Sequence, residues 1–183
     1  TRGLPTSHLS GLLNNGIPRR PSIVTNWGVG GTSTSVGSDN GLSRINNNLA
    51  TAASTHAGSA YWVLILYGLN DFGFGLQPGD TQFNIEQMIN ISRNRGFEPI
   101  LGTVTPRSDA NIVPYNNAIK AAGSSKSVFV VDHYNVFITT APPNGLSLLT
   151  SEKSTTSGQP VQLHPKADSY RMMAQTWFDQ RLA

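Results

Sequence analysis

Two polar segments and one histidine have residue types that suit acid–base chemistry on an oxygen-containing group. Gly68-Leu69-Asn70-Asp71 follows the most apolar run of the chain, and a glycine-rich turn spans residues 26–31. A side-chain amide or a backbone N–H beside glycine can donate a hydrogen bond to developing negative charge. His164 directly precedes a proline and a helical pattern, where an imidazole could act as a general base.

Each of these signals also has an ordinary structural explanation. The glycines could form only a tight turn, and they lack the G-x-G-x-x-G spacing of a dinucleotide loop, because Ser33 stands three residues after Gly30. Asn-Asp is common in turns, and a lone histidine is more often structural. The other histidines are less well placed, two in helical patterns and one in a turn expected to be solvated: His8, His56 and His133. No set of His, Asp and Glu has metal-ligand spacing, so we expect no metal and no cofactor.

Four short apolar runs, rich in residues that favour strands, alternate with helical patterns. The predicted strands are residues 22–27, 61–67, 99–104 and 128–132, and the predicted helices are residues 5–15, 42–55, 81–95 and 111–122. A last amphipathic helix is predicted with Pro165 in its first turn, after a long loop over residues 134–160. This alternation predicts a three-layer α/β domain with a parallel sheet, whose site lies at the carboxyl ends of the strands.

Length and composition restrict the classes of protein to which the chain can belong. Its 183 residues suit a single domain, residues 1–183, with a hydrophobic core. Charged residues make up 13%, whereas Asn, Ser and Thr number 16, 19 and 16, which predicts a neutral polar surface and favours an extracellular or cell-surface protein. The net charge of +3 is scattered, so a nucleic-acid partner is not expected. The absence of cysteine excludes disulfides and thiolate catalysis, and the longest apolar run is too short to span a membrane.

The three blocks, in the order glycine turn, Gly-x-Asn-Asp and His-Pro, resemble the SGNH or GDSL hydrolase family of esterases and lipases over nearly the whole chain. The resemblance implies a flavodoxin-like sheet and hydrolysis of acyl esters of carbohydrates or lipids, with no metal cofactor. It implies that Gly28 donates its backbone N–H and Asn70 its side-chain amide to the oxyanion, with His164 as general base. Gly31 and Asp71 are expected in the substrate-binding loops, where Asp71 could hold its loop by bonding to backbone N–H groups.

Two family features have no counterpart in the sequence. The Gly-Asp-Ser block, which carries the nucleophile at the end of the first strand, is absent, and Thr1-Arg2-Gly3 resembles the segment that follows it. The family usually has an acid three residues before the histidine, where this chain has Val161, so a backbone carbonyl could orient the imidazole instead. In a 2-1-3-4-5 strand order, the absent first strand would leave a slot of roughly 10 Å between residues 22–27 and 61–67.

Three hypotheses follow for function. The first is a serine esterase domain that becomes competent when an upstream peptide or a neighbouring subunit supplies the strand and its serine. The alternative is a catalytically silent surface or filament subunit that assembles by strand addition into the slot. A third, carbohydrate binding without hydrolysis, rests on Asn-rich loops and Trp27. Other candidate nucleophiles are Thr1, through its hydroxyl and free amine, and Ser33 and Ser35, which are expected in a flexible polar loop.

Overall fold

The computed structural model describes residues 5–16, 22–55, 61–153 and 158–182. Its helices are α1 (Pro5–Gly16), α2 (Gly41–Thr55), α3 (Pro78–Asn94), α4 (Val113–Ser125), α5 (His133–Thr140) and α6 (Ala167–Trp177). Its strands are β1 (Trp62–Ile65), β2 (Glu98–Gly102), β3 (Val130–Val131), β4 (Leu149–Lys153) and β5 (Pro160–Pro165). A 3-10 turn, Leu146–Leu148, precedes β4, and a π-helical turn, Phe178–Leu182, follows α6.

The chain divides into two compact units. The sheet unit contains residues 29–104 and 111–132, and the hairpin unit contains residues 1–28, 105–110 and 133–183. The prediction of a single domain stays a prediction. None of the described helices has the length and apolar character that crossing a membrane requires.

The sheet unit is built on three parallel strands in the order β1-β2-β3. Helix α3 connects β1 to β2, and α4 connects β2 to β3. When successive strands are added in one direction across a sheet, right-handed crossovers place both connecting helices on the same face. Parallel strands that are covered by helices carry apolar residues along their length. In β2, Ile100 and Leu101 are such residues, and both are fully buried. The core of the unit contains Ile85, Met88, Ile89, Val104 and Ile119. This architecture confirms the predicted α/β fold with a parallel sheet.

The hairpin unit pairs β4 with β5 in antiparallel orientation and packs α1 against α6. Its core cluster joins Phe137 of α5, Leu149 of β4 and Met173 of α6. His133 begins α5 and is fully buried, with its ring centroid 4.9 Å from that of Trp177 in an edge-to-face arrangement. The expectation that His133 lies in a solvated turn is therefore wrong, because α5 carries it into the core.

Three other expectations from the sequence need correction. Residues 22–27, predicted as a strand, form none; Ile23 is exposed, and an apolar run becomes a strand only where a neighbouring strand accepts its hydrogen bonds. Residues 134–160 are not one long loop, since most of α5, the 3-10 turn and β4 fall within them. Pro165 ends β5 instead of occupying the first turn of α6, whose N-cap is Lys166. His56 lies outside the described residues.

Candidate functional site

In the sheet unit, the loop after β1 positions the side-chain amide of Asn70. The loop turns at Gly68, whose φ of +114° and close neighbours require glycine, since a Cβ would lie 3.3 Å from Thr81 Cγ2. Asn70 Nδ2 donates a hydrogen bond to the carbonyl oxygen of Thr32 at 3.0 Å, which fixes the amide. The same group has a second N–H, with no acceptor among the described residues. An oriented amide donor of this kind can stabilise developing negative charge on an oxygen.

Asp71 fastens this loop to its neighbours. Its carboxylate is fully buried and accepts hydrogen bonds from Thr34 N at 2.8 Å, Thr34 Oγ1 at 2.8 Å and Thr81 Oγ1 at 2.7 Å. Asn84 Nδ2 extends the network by donating to Thr34 Oγ1 at 2.9 Å. A buried carboxylate is tolerated only when such donors satisfy it, so these side chains must be present together. Both carboxylate oxygens accept hydrogen bonds, and the residue therefore positions the loop that carries Asn70.

Tyr115 of α4 closes the far end of the same loop. Its hydroxyl donates to the carbonyl oxygen of Leu76 at 2.7 Å, and its ring packs edge-to-face on Phe72 with centroids 6.3 Å apart. Burial raises the pKa of Tyr115, and the negative charges of Asp71 and Asp80 raise this pKa further. The phenol therefore stays protonated at neutral pH and acts as a hydrogen-bond donor to the loop.

The polar segment before α2 is ordered by its own hydrogen bonds. Ser33 is fully buried, and its Oγ donates to Val36 O at 3.1 Å and accepts from Val36 N at 2.8 Å. Ser35 Oγ accepts a hydrogen bond from Asn84 Nδ2 at 2.9 Å. Both hydroxyls are thus hydrogen-bonded, and the expectation of a flexible polar loop at Ser33 and Ser35 stays a prediction. Gly31, with a φ of +79°, is exposed at the preceding turn, and its assignment to substrate binding stays a prediction.

In the hairpin unit, Gly28 is exposed and its backbone N–H is already bonded. The N–H donates to Oδ1 of Asn26 at 2.9 Å. Asn side chains commonly accept such a hydrogen bond from the backbone N–H two residues further along the chain, which forms an Asx-turn. For Gly28 to donate to an oxyanion, the Asn26 side chain must first release this N–H. The assignment of Gly28 as an oxyanion donor stays a prediction.

His164 lies on β5, not at the start of the last helix as the sequence suggested. Its Nδ1 is 2.8 Å from Oε2 of Glu152 on β4, and the two side chains are 43% and 25% exposed. Because a carboxylate is an acceptor only, the neutral ring donates a hydrogen bond to it from Nδ1–H and presents Nε2 as its basic nitrogen. The arrangement can take a proton from a hydroxyl group and later return it.

Glu152 is a candidate functional residue that sequence reasoning missed. The expectation was a backbone carbonyl beside His164, because Val161 occupies the position of the usual acid, and the structure instead places a carboxylate there. Glu152 stands directly opposite Val161 in the strand register. The only signal in the sequence was a glutamate between short Ser/Thr runs, in a region predicted to be a loop. No group of three or more His, Asp and Glu that could hold a metal ion occurs among the described residues.

Comparisons with known proteins agree with this architecture. Residues 3–172 match the model of the GDSL-like lipase/acylhydrolase family. No match was found among curated proteins. A solved lipolytic protein of the G-D-S-L family from Veillonella parvula is 18% identical, with 94% of this chain and 86% of that chain covered and a TM-score of 0.67.

Two further solved structures are named as esterases. Est24, a carbohydrate acetylesterase from Sinorhizobium meliloti, is 13% identical, with 97% of this chain and 83% of that chain covered and a TM-score of 0.70. The aryl esterase of M. smegmatis is 16% identical, with 98% of this chain and 86% of that chain covered and a TM-score of 0.69. At these identities the structural likeness establishes the fold alone.

Proposed function

The chain belongs to the GDSL-like lipase/acylhydrolase family, and from this premise we propose that it is a serine esterase that hydrolyses acyl esters. The hydrogen bond between His164 Nδ1 and Glu152 Oε2 is the observation that carries the proposal, because it holds an imidazole with Nε2 as its base. The proposed substrate is an acyl ester of a carbohydrate or of a lipid, two classes that the names of the solved relatives include.

The proposed reaction assigns one role to each side chain. A serine hydroxyl gives its proton to Nε2 of His164 while its oxygen attacks the acyl carbon. The oxyanion that forms accepts a hydrogen bond from the Asn70 amide, with the backbone N–H of Gly28 as a second donor. The bond to the alcohol then breaks as Nε2 returns the proton, and water repeats the sequence to release the acid. Asp71 holds the loop of Asn70 through Thr34 and Thr81.

We assign the nucleophile to a further strand that pairs with the open edge of β1 and carries the serine at its carboxyl end. Two observations support this assignment. Among the described strands, β1 pairs only with β2. Trp62, the first residue of β1, is 53% exposed, and Leu66, the residue after its end, is 41% exposed. An unpaired edge of a parallel sheet presents a row of backbone donors and acceptors that a strand can satisfy. Ser33 is buried and bonded, which removes it as a competing nucleophile.

The proposal is tested on the native preparation with p-nitrophenyl acetate and a serine-reactive fluorophosphonate. We expect hydrolysis and one phosphonylated serine, identified by peptide mass spectrometry in a strand bound to the chain. His164→Ala should lower kcat by about a thousandfold or more and abolish labelling, because the general base is lost. Arg171→Gln, an exposed change on α6, serves as the matched control and should leave both signals unchanged.

Two outcomes would contradict the proposal. If neither hydrolysis nor any labelled serine is found, the catalytically silent subunit becomes the better explanation, and sedimentation should then show a concentration-dependent assembly. If a serine reacts equally in the His164→Ala variant, the assignment of the base is wrong.

A further inference from the structure

We infer that Glu152 is the positioning residue for His164: it selects the imidazole tautomer that leaves Nε2 as base, and it does so from the neighbouring strand. The inference rests on the proposed function for its catalytic consequence, but the tautomer itself is a property of the hairpin. The geometry points to this role because Oε2 of Glu152 lies 2.8 Å from Nδ1 of His164, within the range of a charge-assisted hydrogen bond.

The strand register explains how two residues on different strands come to share a face. Ser151 is opposite Gln162 and Leu149 is opposite Pro165, so two steps along β4 correspond to three steps along β5. One extra residue is therefore inserted in β5, which is a β-bulge. Without it, strict alternation from the Glu152–Val161 pair would turn His164 to the face opposite Glu152. The bulge rotates the imidazole onto the carboxylate's face.

Thr150 provides the second part of the arrangement. It lies opposite the bulge, and its Oγ1 is hydrogen-bonded to Oε1 of Glu152 and lies 3.1 Å from the carbonyl oxygen of His164. One carboxylate oxygen is therefore occupied by Thr150 while the other faces Nδ1. A half-exposed ion pair with no further contact would contribute little and would sample several geometries. The Thr150 contact restricts the carboxylate to the geometry that orients the ring.

The test combines imidazole ¹⁵N spectra of the full chain with steady-state kinetics. At a pH where His164 is neutral, the wild-type ring should carry its proton on Nδ1. In Glu152→Gln, the amide N–H can donate to Nδ1, and the proton should move to Nε2. We expect kcat to fall by about a hundredfold with KM changed less than about twofold, because only proton transfer is impaired. Glu152→Asp keeps the charge and should recover most of both signals.

Asp168→Asn is the matched control, since it removes one carboxylate on α6 whose side chain is 92% exposed, and it should change neither the tautomer nor kcat. If Glu152→Gln keeps the Nδ1 proton, or keeps full kcat in an active enzyme, the positioning role is wrong and the proposed function stands. If the tautomer changes as expected but the wild type hydrolyses no ester, the positioning role stands and the proposed function is wrong.

Discussion

The loop that carries Asn70 and the hairpin that carries His164 fix their side chains by different means. Asp71 anchors the loop from a fully buried position, through three hydrogen bonds with Thr34 and Thr81. Glu152 has a partly exposed side chain, and it anchors His164 through contacts with the imidazole ring and with Thr150. A buried carboxylate without its partners is costly to the fold, whereas an exposed pair can be broken at little cost in stability.

The difference separates the residues that sustain the fold from those that direct chemistry. Substitution of the buried anchor should unfold the sheet unit before it reports on any reaction. Substitution of the exposed pair should alter proton transfer in a chain that remains folded. Stability and turnover, measured together, therefore distinguish the two regions.

The largest effect is expected for Asp71→Ala. The change leaves three buried donors without their acceptor, and each such group lowers the stability of the folded state by about 1 to 3 kcal/mol. We expect the free energy of unfolding in urea to fall by roughly 3 kcal/mol or more. Asp168→Ala provides the control, because this carboxylate pairs with Arg171 at the surface and should contribute less than about 1 kcal/mol. Equal losses in the two variants would show that the Asp71 network does not anchor the loop.

The next effect sharpens the comparison within the sheet unit. Asn70→Ala removes the proposed oxyanion donor and a single hydrogen bond to the Thr32 carbonyl. We expect kcat to fall by about a hundredfold or more, while the free energy of unfolding changes by about 1 kcal/mol. Parallel measurement of kcat and urea unfolding checks both values. A stability loss as large as that of Asp71→Ala, or an unchanged kcat, would remove the distinction between anchor and donor.

The sequence predicted the regions that local patterns determine. Helical spacing of apolar residues predicted α2, α3 and α4 close to their observed bounds, and three of the four apolar runs overlap β1, β2 and β3. The order of the sequence blocks predicted the family, which the family model confirms. The assignments of Asn70 and His164 stay predictions until the variants are measured.

The regions that the sequence did not predict depend on contacts between distant segments. β4 reads as Leu-Thr-Ser-Glu-Lys, which has no apolar alternation, and it is a strand because β5 pairs with it. The contact of Glu152 with His164 depends on a one-residue bulge, and single-sequence periodicity does not report register. Residues 22–27 show the converse, since a run with strand propensity forms no strand in the structure.

The smallest effect is expected in the segment that borders β5. Ser108 N donates to Gln162 O at 3.2 Å and Ser108 Oγ accepts from Gln162 N at 2.8 Å, so residues 105–110 contact the hairpin. Beside Ser108, Asp109 is held by Arg107 at 2.6 Å, and this hydrogen bond is the largest of the causes that lower the pKa of Asp109. A lowered folded-state pKa contributes stability that is present above the ordinary pKa and is lost as the pH falls through the lowered one.

Asp109→Asn should therefore reduce the free energy of unfolding at pH 7 by less than about 1 kcal/mol, since the pair is partly exposed. The difference between wild type and variant should shrink as the pH falls below about 4, because protonation of Asp109 in the wild type then removes the same interaction. Urea unfolding at several pH values checks the trend, with Asp168→Asn as a control that should show no measurable difference. A difference that grows toward acid pH would mean that Arg107 does not stabilise the charged form of Asp109. The two hydrogen bonds between Ser108 and Gln162 would then hold residues 105–110 against β5 without a contribution from the Asp109 charge.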